Sequence, residues 1–287
     1  MDVYITVEQC FTKHGRYAII KAIDILSYIS EMEERHMISM DTFAGGSFAR
    51  QITEQKGAFS LLQYNKESRA AAVNPAVAYY NSKMGVRKKQ VIVTLNNTGV
   101  ILQAGAMQMM LGEINAETNV KGVGDAFMKA FAGRATGESA VKPRYTGAGF
   151  VVLEPTWKYI LFEDLADWGG SVTVDDGLFL ACDDTVDIKT VARSSFSAAV
   201  AGGEGLFNTA LVGRGVVALE CALPRDELIT IELENDTVKI DGNMAIAWSS
   251  NLQFTVEKTT KSLIGSAATG EGLVNVYRGT GRILVMP

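Results

Sequence analysis

Histidine is nearly absent from this chain, and its scarcity excludes the most familiar catalytic sites. Only His14 and His36 occur in 287 residues. Metal centres inside β-barrels use several histidines with a carboxylate, and serine or cysteine nucleophiles generally need a basic partner within hydrogen-bond reach. We therefore expect no metal, no cofactor and no enzymatic activity.

Cysteine, basic residues and long apolar runs are also few. The three cysteines (Cys10, Cys182 and Cys221) show no paired spacing, and no secretory leader is recognisable, so we expect a reduced, cytoplasmic protein. The apolar stretch at 17–29 contains Lys21 and Asp24 and is shorter than the ~20 residues of a membrane span. A net charge of −5 makes nucleic acid an unlikely partner, because such binding depends on dense Lys and Arg.

Glycine, in contrast, is abundant and periodic, with 28 residues. Gly-Glu pairs begin at Gly137, Gly203 and Gly270, spaced by 66 and 67 residues. Each is followed by a Gly-x-Gly phrase, and these phrases begin at 147, 213 and 279, spaced by 66 residues both times. A fixed period of this kind indicates one structural unit copied in tandem.

Each copy has the pattern of a β unit. A β-rich run leads through a glycine turn to an alternating strand, and a final apolar strand follows Gly-x-Gly and ends at a proline. The pattern predicts a mainly β domain over 90–287, with repeats at about 90–157, 158–224 and 225–287. Within the second repeat, Asp175-Asp176 before Gly177 has the composition of a hairpin turn.

Residues 1–89 are predicted to form an N-terminal extension of helices and strands. Good helix formers with a broad apolar face predict a helix at about 15–35, which packs within the molecule or its oligomer or binds a partner. A strand is expected at 58–62, and a short helix from Pro75 to Met84, because proline favours the first helical turn.

The Gly-Glu pairs are the candidate binding or structural positions. Their glutamates are Glu138, Glu204 and Glu271. If the copies surround one axis, the three carboxylates could form a ring that holds a hard cation or raises their own proton affinities. The alternative, which we favour, is that each glutamate accepts hydrogen bonds from the amides of its own turn.

Several longer phrases resemble the altered-inheritance-of-mitochondria family, also called the mitochondrial biogenesis family. They are GVILQAGAMQ at 99–108, KGVGD at 121–125, TGESAVKP at 136–143, GGEGLF at 202–207 and GEGLVNVYRGTG at 270–281. The resemblance implies a short double-stranded β-helix similar to the tryptophan RNA-binding attenuator protein (TRAP-like), with three tandem repeats around a pseudo-threefold axis. It implies no assigned biochemical activity.

Three classes of function remain open. The first is a non-catalytic scaffold or oligomeric assembly protein, a trimer or larger, with an unknown protein partner as a further option; strand edges favour it, because they invite pairing with another chain. The second, by analogy to the attenuator protein, is a module that binds RNA or a small ligand. The third is an enzyme that uses acidic residues alone. Its candidate residues are Glu154, Glu163, Asp164, Asp167, Asp175 and Asp176.

Overall fold

The structure is a computed structural model that describes residues 49–66, 75–118, 141–192, 207–258 and 273–287. Every described residue belongs to one unit of the chain, Asp41–Pro287. The helix predicted at about 15–35 lies outside the described residues. The division of the chain into 1–89 and 90–287 stays a prediction.

Strands dominate the described residues, which confirms the mainly β class. The helix α1 is Pro75–Lys83, and 3₁₀ turns occupy Leu165–Trp168 and Arg225–Glu227. The strands are β1 (Arg50–Lys56), β2 (Phe59–Tyr64), β3 (Lys89–Leu102), β4 (Met107–Glu117), β5 (Arg144–Leu153), β6 (Tyr159–Asp164), β7 (Ser171–Val174), β8 (Phe179–Asp183), β9 (Val186–Ala192), β10 (Phe207–Gly213), β11 (Val216–Cys221), β12 (Ile229–Asp241), β13 (Ala245–Ser249), β14 (Gln253–Lys258) and β15 (Leu273–Val285).

The segment before the repeats contributes a hairpin and a helix. Strands β1 and β2 pair through a tight turn in which Gly57 has a φ of 57°, a left-handed conformation that favours glycine. Strand β2 then pairs with β3, so this hairpin extends the sheet of the first repeat. The strand expected at 58–62 and the helix expected to begin at Pro75 are both confirmed.

Two antiparallel sheets contain the described strands. One has eight strands, in the order β1-β2-β3-β8-β11-β6, with β5 on β3 and β4 on β5. The other has seven, in the order β12-β15-β13-β7-β10-β9, with β14 on β15. Strands from 158–224 lie in both sheets, so the middle repeat joins the two.

The strand pairings correspond among the three predicted repeats. In the first repeat, β5 pairs with β3 on one side and β4 on the other. In the third, β15 pairs with β12 on one side and with β13 and β14 on the other. In the middle repeat, β11 lies between β6 and β8, and β10 between β7 and β9. These pairings are consistent with a copied unit, whereas the pseudo-threefold axis and the TRAP-like description stay predictions.

The turn at Asp175–Gly177 is a correction to the sequence analysis. Gly177 has the positive φ expected of a turn glycine, 78°. The strands on its two sides nevertheless belong to different sheets, because β7 pairs with β10 and β13 while β8 pairs with β3 and β11. The Asp-Gly sequence therefore marks a crossing between sheets, and the indicated hairpin is wrong.

Three apolar clusters form the core of the part of the chain that the structure describes. One joins the middle and third repeats around Leu211, Trp168 and Leu284. A second joins the N-terminal hairpin, the first repeat and part of the middle repeat around Phe59 and Val93. The third lies within β12–β15. Because burial of apolar area is the main favourable contribution to folding, these clusters fix the relative positions of neighbouring repeats.

Candidate functional site

The residues predicted as the site lie outside the described part of the chain. They are Gly137 with Glu138, Gly203 with Glu204, and Gly270 with Glu271. Their convergence on one axis therefore stays a prediction. The strand that follows each pair is described, and in all three cases it is the strand that carries Gly-x-Gly: β5, β10 or β15.

The Gly-x-Gly phrase of the first repeat marks a point where two backbones come close together. In the first repeat, a Cβ added to Gly147 would lie 2.0 Å from the carbonyl oxygen of Glu113, and one added to Gly149 would lie 2.0 Å from that of Leu111. Their φ angles are 135° and 145°, which L side chains rarely adopt. Only glycine fits this close approach of β5 to β4.

The backbone N–H that follows Gly-x-Gly finds its acceptor in different ways. In the first repeat, Phe150 is opposite Leu111 in the β4–β5 ladder. In the middle repeat, the Val216 N–H donates to Asp183 Oδ2 at 2.8 Å. In the third, the Arg282 N–H donates to Ser249 Oγ at 3.0 Å. A side-chain oxygen thus stands at the break between β8 and β9, or between β13 and β14.

The Asp183 carboxyl is partly buried at this break. Its pKa is raised, mainly by desolvation, while the hydrogen bond from the Val216 N–H opposes the rise and the neighbouring Asp184 and Asp164 add to it. Arg144 of β5 pairs with Asp184 at 2.5 Å, which compensates one of the two adjacent acids. The Asp183 carboxylate therefore accepts a backbone hydrogen bond, and its partial burial makes the charged form less favourable.

A cleft of about 190 Å³ lies between β1 and β6. It is lined by Glu54, Lys56, Ile160, Leu161, Phe162, Glu163 and Arg225. Lys56 Nζ donates to the carbonyl oxygen of Phe162 at 3.2 Å, across 106 residues of sequence. The two end strands of the six-strand path in the eight-stranded sheet thus approach each other, and the Lys56 side chain bridges them.

Glu163 is the most buried acid of the cleft, with 7% of its surface exposed. Its Oε2 accepts from Trp168 Nε1 at 3.1 Å and its Oε1 from Arg225 Nε at 3.2 Å. Arg225 Nη2 also donates to Thr230 Oγ1 of β12 at 3.2 Å, which ties the two sheets together. Both oxygens of the Glu163 carboxylate accept hydrogen bonds, so this side chain has a structural role.

Glu54 is the second carboxylate of the cleft. Its pKa is raised, first by desolvation, with Lys56 opposing the rise and Glu163 adding to it. Sequence reasoning missed Glu54, Lys56 and Arg225. The only local signal was the charged Lys56 directly before the hairpin glycine Gly57. Nothing in the local sequence indicates that β1 approaches β6, which lies about 100 residues further along the chain.

The other acids considered for an acid-only enzyme have structural roles. Asp164 Oδ1 accepts from the Ala166 N–H at 2.9 Å and so caps the first 3₁₀ turn. Asp167 lies 3.8 Å from Lys56 Nζ, and Glu154 accepts from Gln108 at 3.3 Å. Asp175 and Asp176 precede the turn glycine described above.

Several aromatic residues and the two described cysteines contribute to the core. Trp248, Phe254 and Tyr277 pack with ring centroids 5.2 to 5.7 Å apart inside the third repeat. Cys182 and Cys221 are free and buried. Burial raises the pKa of the Cys182 thiol, and the nearby Asp183 adds to the rise. A thiol in this environment is poorly ionised and therefore unreactive.

Strands β4 and β12 each have one edge without a strand partner among the described residues. Strand β4 pairs with β5 alone, and β12 pairs with β15 alone. Most of their side chains are exposed or half-exposed, and Met110 and Ile229 are 44% and 49% exposed. Such edges present backbone N–H and C=O groups to any chain that can lie beside them.

Within the described ranges, no helix is long and apolar enough to span a membrane.

Comparisons with known proteins place these features in a family. Residues 82–287 match the family described as mitochondrial biogenesis AIM24. An uncharacterized protein from Streptococcus pyogenes serotype M6 is 29% identical over 194 residues, which is 65% of this chain and 75% of the relative. The crystal structure of a Streptococcus pyogenes protein is similar in fold, with a TM-score of 0.52 and 24% identity, over 70% of this chain and 88% of that one. With its family match covering all three predicted repeats, the chain belongs to the mitochondrial biogenesis AIM24 family.

Proposed function

We propose that this chain is a non-catalytic scaffold that assembles with copies of itself. The observation that carries the proposal is the presence of strand edges without a partner strand among the described residues, including those of β4 and β12. A long exposed edge is a template for strand addition, and soluble proteins usually shorten, cover or pair such edges. Assembly would pair these edges and cover apolar side chains such as Met110.

The states of the buried polar groups support a role without catalysis. Glu163 uses both oxygens to hold Trp168 and Arg225. The Cys182 thiol is enclosed by apolar side chains and has a raised pKa. Groups poised for acid, base or nucleophilic chemistry usually have an open side toward a substrate. Because the two buried cysteines are free, we also propose a reducing compartment, the cytoplasm.

The mass of the intact assembly tests this proposal. Native mass spectrometry and light scattering of the full chain, over roughly a hundredfold range of concentration, should give a multiple of the 30.9 kDa chain mass. A particle of one chain mass at every concentration would overturn the scaffold role. The same spectra report bound molecules, so RNA or a small molecule retained in fixed proportion would favour the ligand-binding alternative instead.

A further inference from the structure

The two junctions between neighbouring repeats use the same strand register. Between the first and middle repeats, β3 pairs with β8 through Val100↔Asp183, Ile101↔Cys182 and Leu102↔Ala181. Between the middle and third repeats, β7 pairs with β13 through Val172↔Ser249, Thr173↔Trp248 and Val174↔Ala247. In both junctions, a strand from the start of one repeat (β3 or β7) lies beside the strand that follows the glycine turn of the next repeat (β8 or β13).

The glycine phrase shows that these residues are equivalent. Ile101 and Thr173 are opposite Arg144 and Ala210, which each come three residues before a Gly-x-Gly phrase. Cys182 and Trp248 are opposite Val217 and Ile283, which each come two residues after the last glycine of the phrase. The two junctions therefore join the same two positions of the copied unit.

The remaining positions of this kind are on the open edges. In the third repeat, Lys239 is opposite Val276, three residues before Gly279, and so corresponds to Ile101 and Thr173. In the first repeat, Met110 is opposite Val151, two residues after Gly149, and so corresponds to Cys182 and Trp248. No strand pairing in the described part of the chain joins β12 to β4.

We propose that β12 of one copy pairs antiparallel with β4 of the next, in the register Val238↔Leu111, Lys239↔Met110 and Ile240↔Met109. This inference rests on the proposed scaffold function and names its interface and partner. The contact repeats, between copies, the junction that the chain uses twice internally. Because it joins two different surfaces, it is head-to-tail, and copies linked this way form a closed ring or a filament.

Charge favours this partner over pairing of β12 with itself. Strand β12 carries Glu232, Glu234, Asp236 and Asp241 beside the single base Lys239. Two antiparallel copies of β12 would place these acids close to one another, and like charges across a ladder are destabilising. The β4 segment Met109–Leu111 is uncharged and at least partly exposed, so the three proposed pairs place no like charges opposite one another.

Cysteine pairing tests the register directly. Met110→Cys and Lys239→Cys are made in separate full-length chains that carry Cys10→Ser, and the chains are mixed under mild oxidation. Residues directly opposite in an antiparallel pair have Cα atoms about 4.5 to 5.5 Å apart, within the range that a disulfide spans. We expect a disulfide-linked dimer in the mixture and none from either chain alone. Absence of the mixed dimer would overturn the register.

Charge variants test whether the contact supports assembly. Met110→Lys places a lysine opposite Lys239, so we expect the dissociation constant to rise roughly two- to fivefold per interface, and Lys239→Glu in the same chain should restore it. Val191→Lys on β9 is the matched control, because Val191 is also 44% exposed, and it should leave assembly unchanged.

The results separate this inference from the function on which it rests. A wild-type oligomer that is insensitive to both charge variants would overturn the interface and leave the scaffold role standing. A wild-type monomer would overturn the scaffold role itself. A disulfide within one chain of the Met110→Cys, Lys239→Cys double variant would show that the edges close internally, which also overturns pairing between copies.

Discussion

The first and middle repeats carry the same glycine phrase but build different sheets from it. In the first, β3, β4 and β5 are continuous strands of 14, 11 and 10 residues within one sheet. In the middle repeat, the corresponding strands are divided in two, and their halves lie in separate sheets. The glycines thus set where strands cross, while the surrounding packing decides whether a strand continues or changes sheet.

Satisfaction of one backbone N–H accounts for part of this difference. Where β4 continues, the residue after Gly-x-Gly faces Leu111 in an ordinary ladder. Where the partner strand breaks, Asp183 or Ser249 supplies a side-chain oxygen. A buried N–H without an acceptor is costly, so the break is tolerated only where such a side chain is present.

The largest expected effect is at the close approach of the first repeat. Gly149→Ala would place a Cβ 2.0 Å from the Leu111 carbonyl oxygen at a φ of 145°. We expect the free energy of unfolding to fall by roughly 3 to 5 kcal/mol, measured by urea denaturation. The control is Gly177→Ala, which has a positive φ and open space, and it should cost about 1 to 2 kcal/mol. If both variants lose the same free energy of unfolding, the close backbone approach at Gly149 adds nothing to the cost of the positive φ, and the prediction is wrong.

A smaller effect is expected at the side-chain acceptor of the third repeat. Ser249→Ala leaves the Arg282 N–H without its hydroxyl acceptor, so the free energy of unfolding should fall by about 1 to 2 kcal/mol. Ser60→Ala removes an exposed hydroxyl that accepts from Gln55 and should cost less than about 0.5 kcal/mol. If both variants lose the same stability in urea, the proposed replacement of a ladder bond by a hydroxyl is incorrect.

The smallest effect is a pH dependence at the acceptor of the middle repeat. Because the pKa of Asp183 is raised on folding, the folded chain binds the proton more tightly, and stability falls as the pH rises from the unfolded to the folded pKa. Asp183→Asn keeps an oxygen acceptor for Val216 and removes the charge. The unfolding free energy of Asp183→Asn relative to wild type should therefore increase from acidic to neutral pH.

Asp183→Ala serves as the control for that titration. It removes both the charge and the acceptor, so it should be less stable than Asp183→Asn at every pH. A constant difference between wild type and Asp183→Asn across the acidic range would show that the Asp183 charge is not the source of the pH dependence.

Local patterns predicted much of the fold because backbone conformation depends on nearby residues. Proline fixes φ for a first helical turn, which correctly placed the start of α1 at Pro75. Apolar runs after Gly-x-Gly correctly predicted the final strands that contain Val151, Val217 and Ile283. The same reasoning failed at Asp176-Gly177, where a local turn signal carries no information about which strands pair on its two sides.

The order of amino acids alone was sufficient for the mainly β class, the period of the glycine phrases and the turn and close-approach positions that favour glycine. Tertiary structure decided which sheet each half-strand joins, that Lys56 bridges to Phe162 and that, among the described strands, β4 and β12 each pair on one side alone. The physical reason is the distance along the sequence over which each interaction acts. Torsional preferences and alternation act over a few residues, whereas pairing between strands distant in sequence is selected by the packing of the whole core.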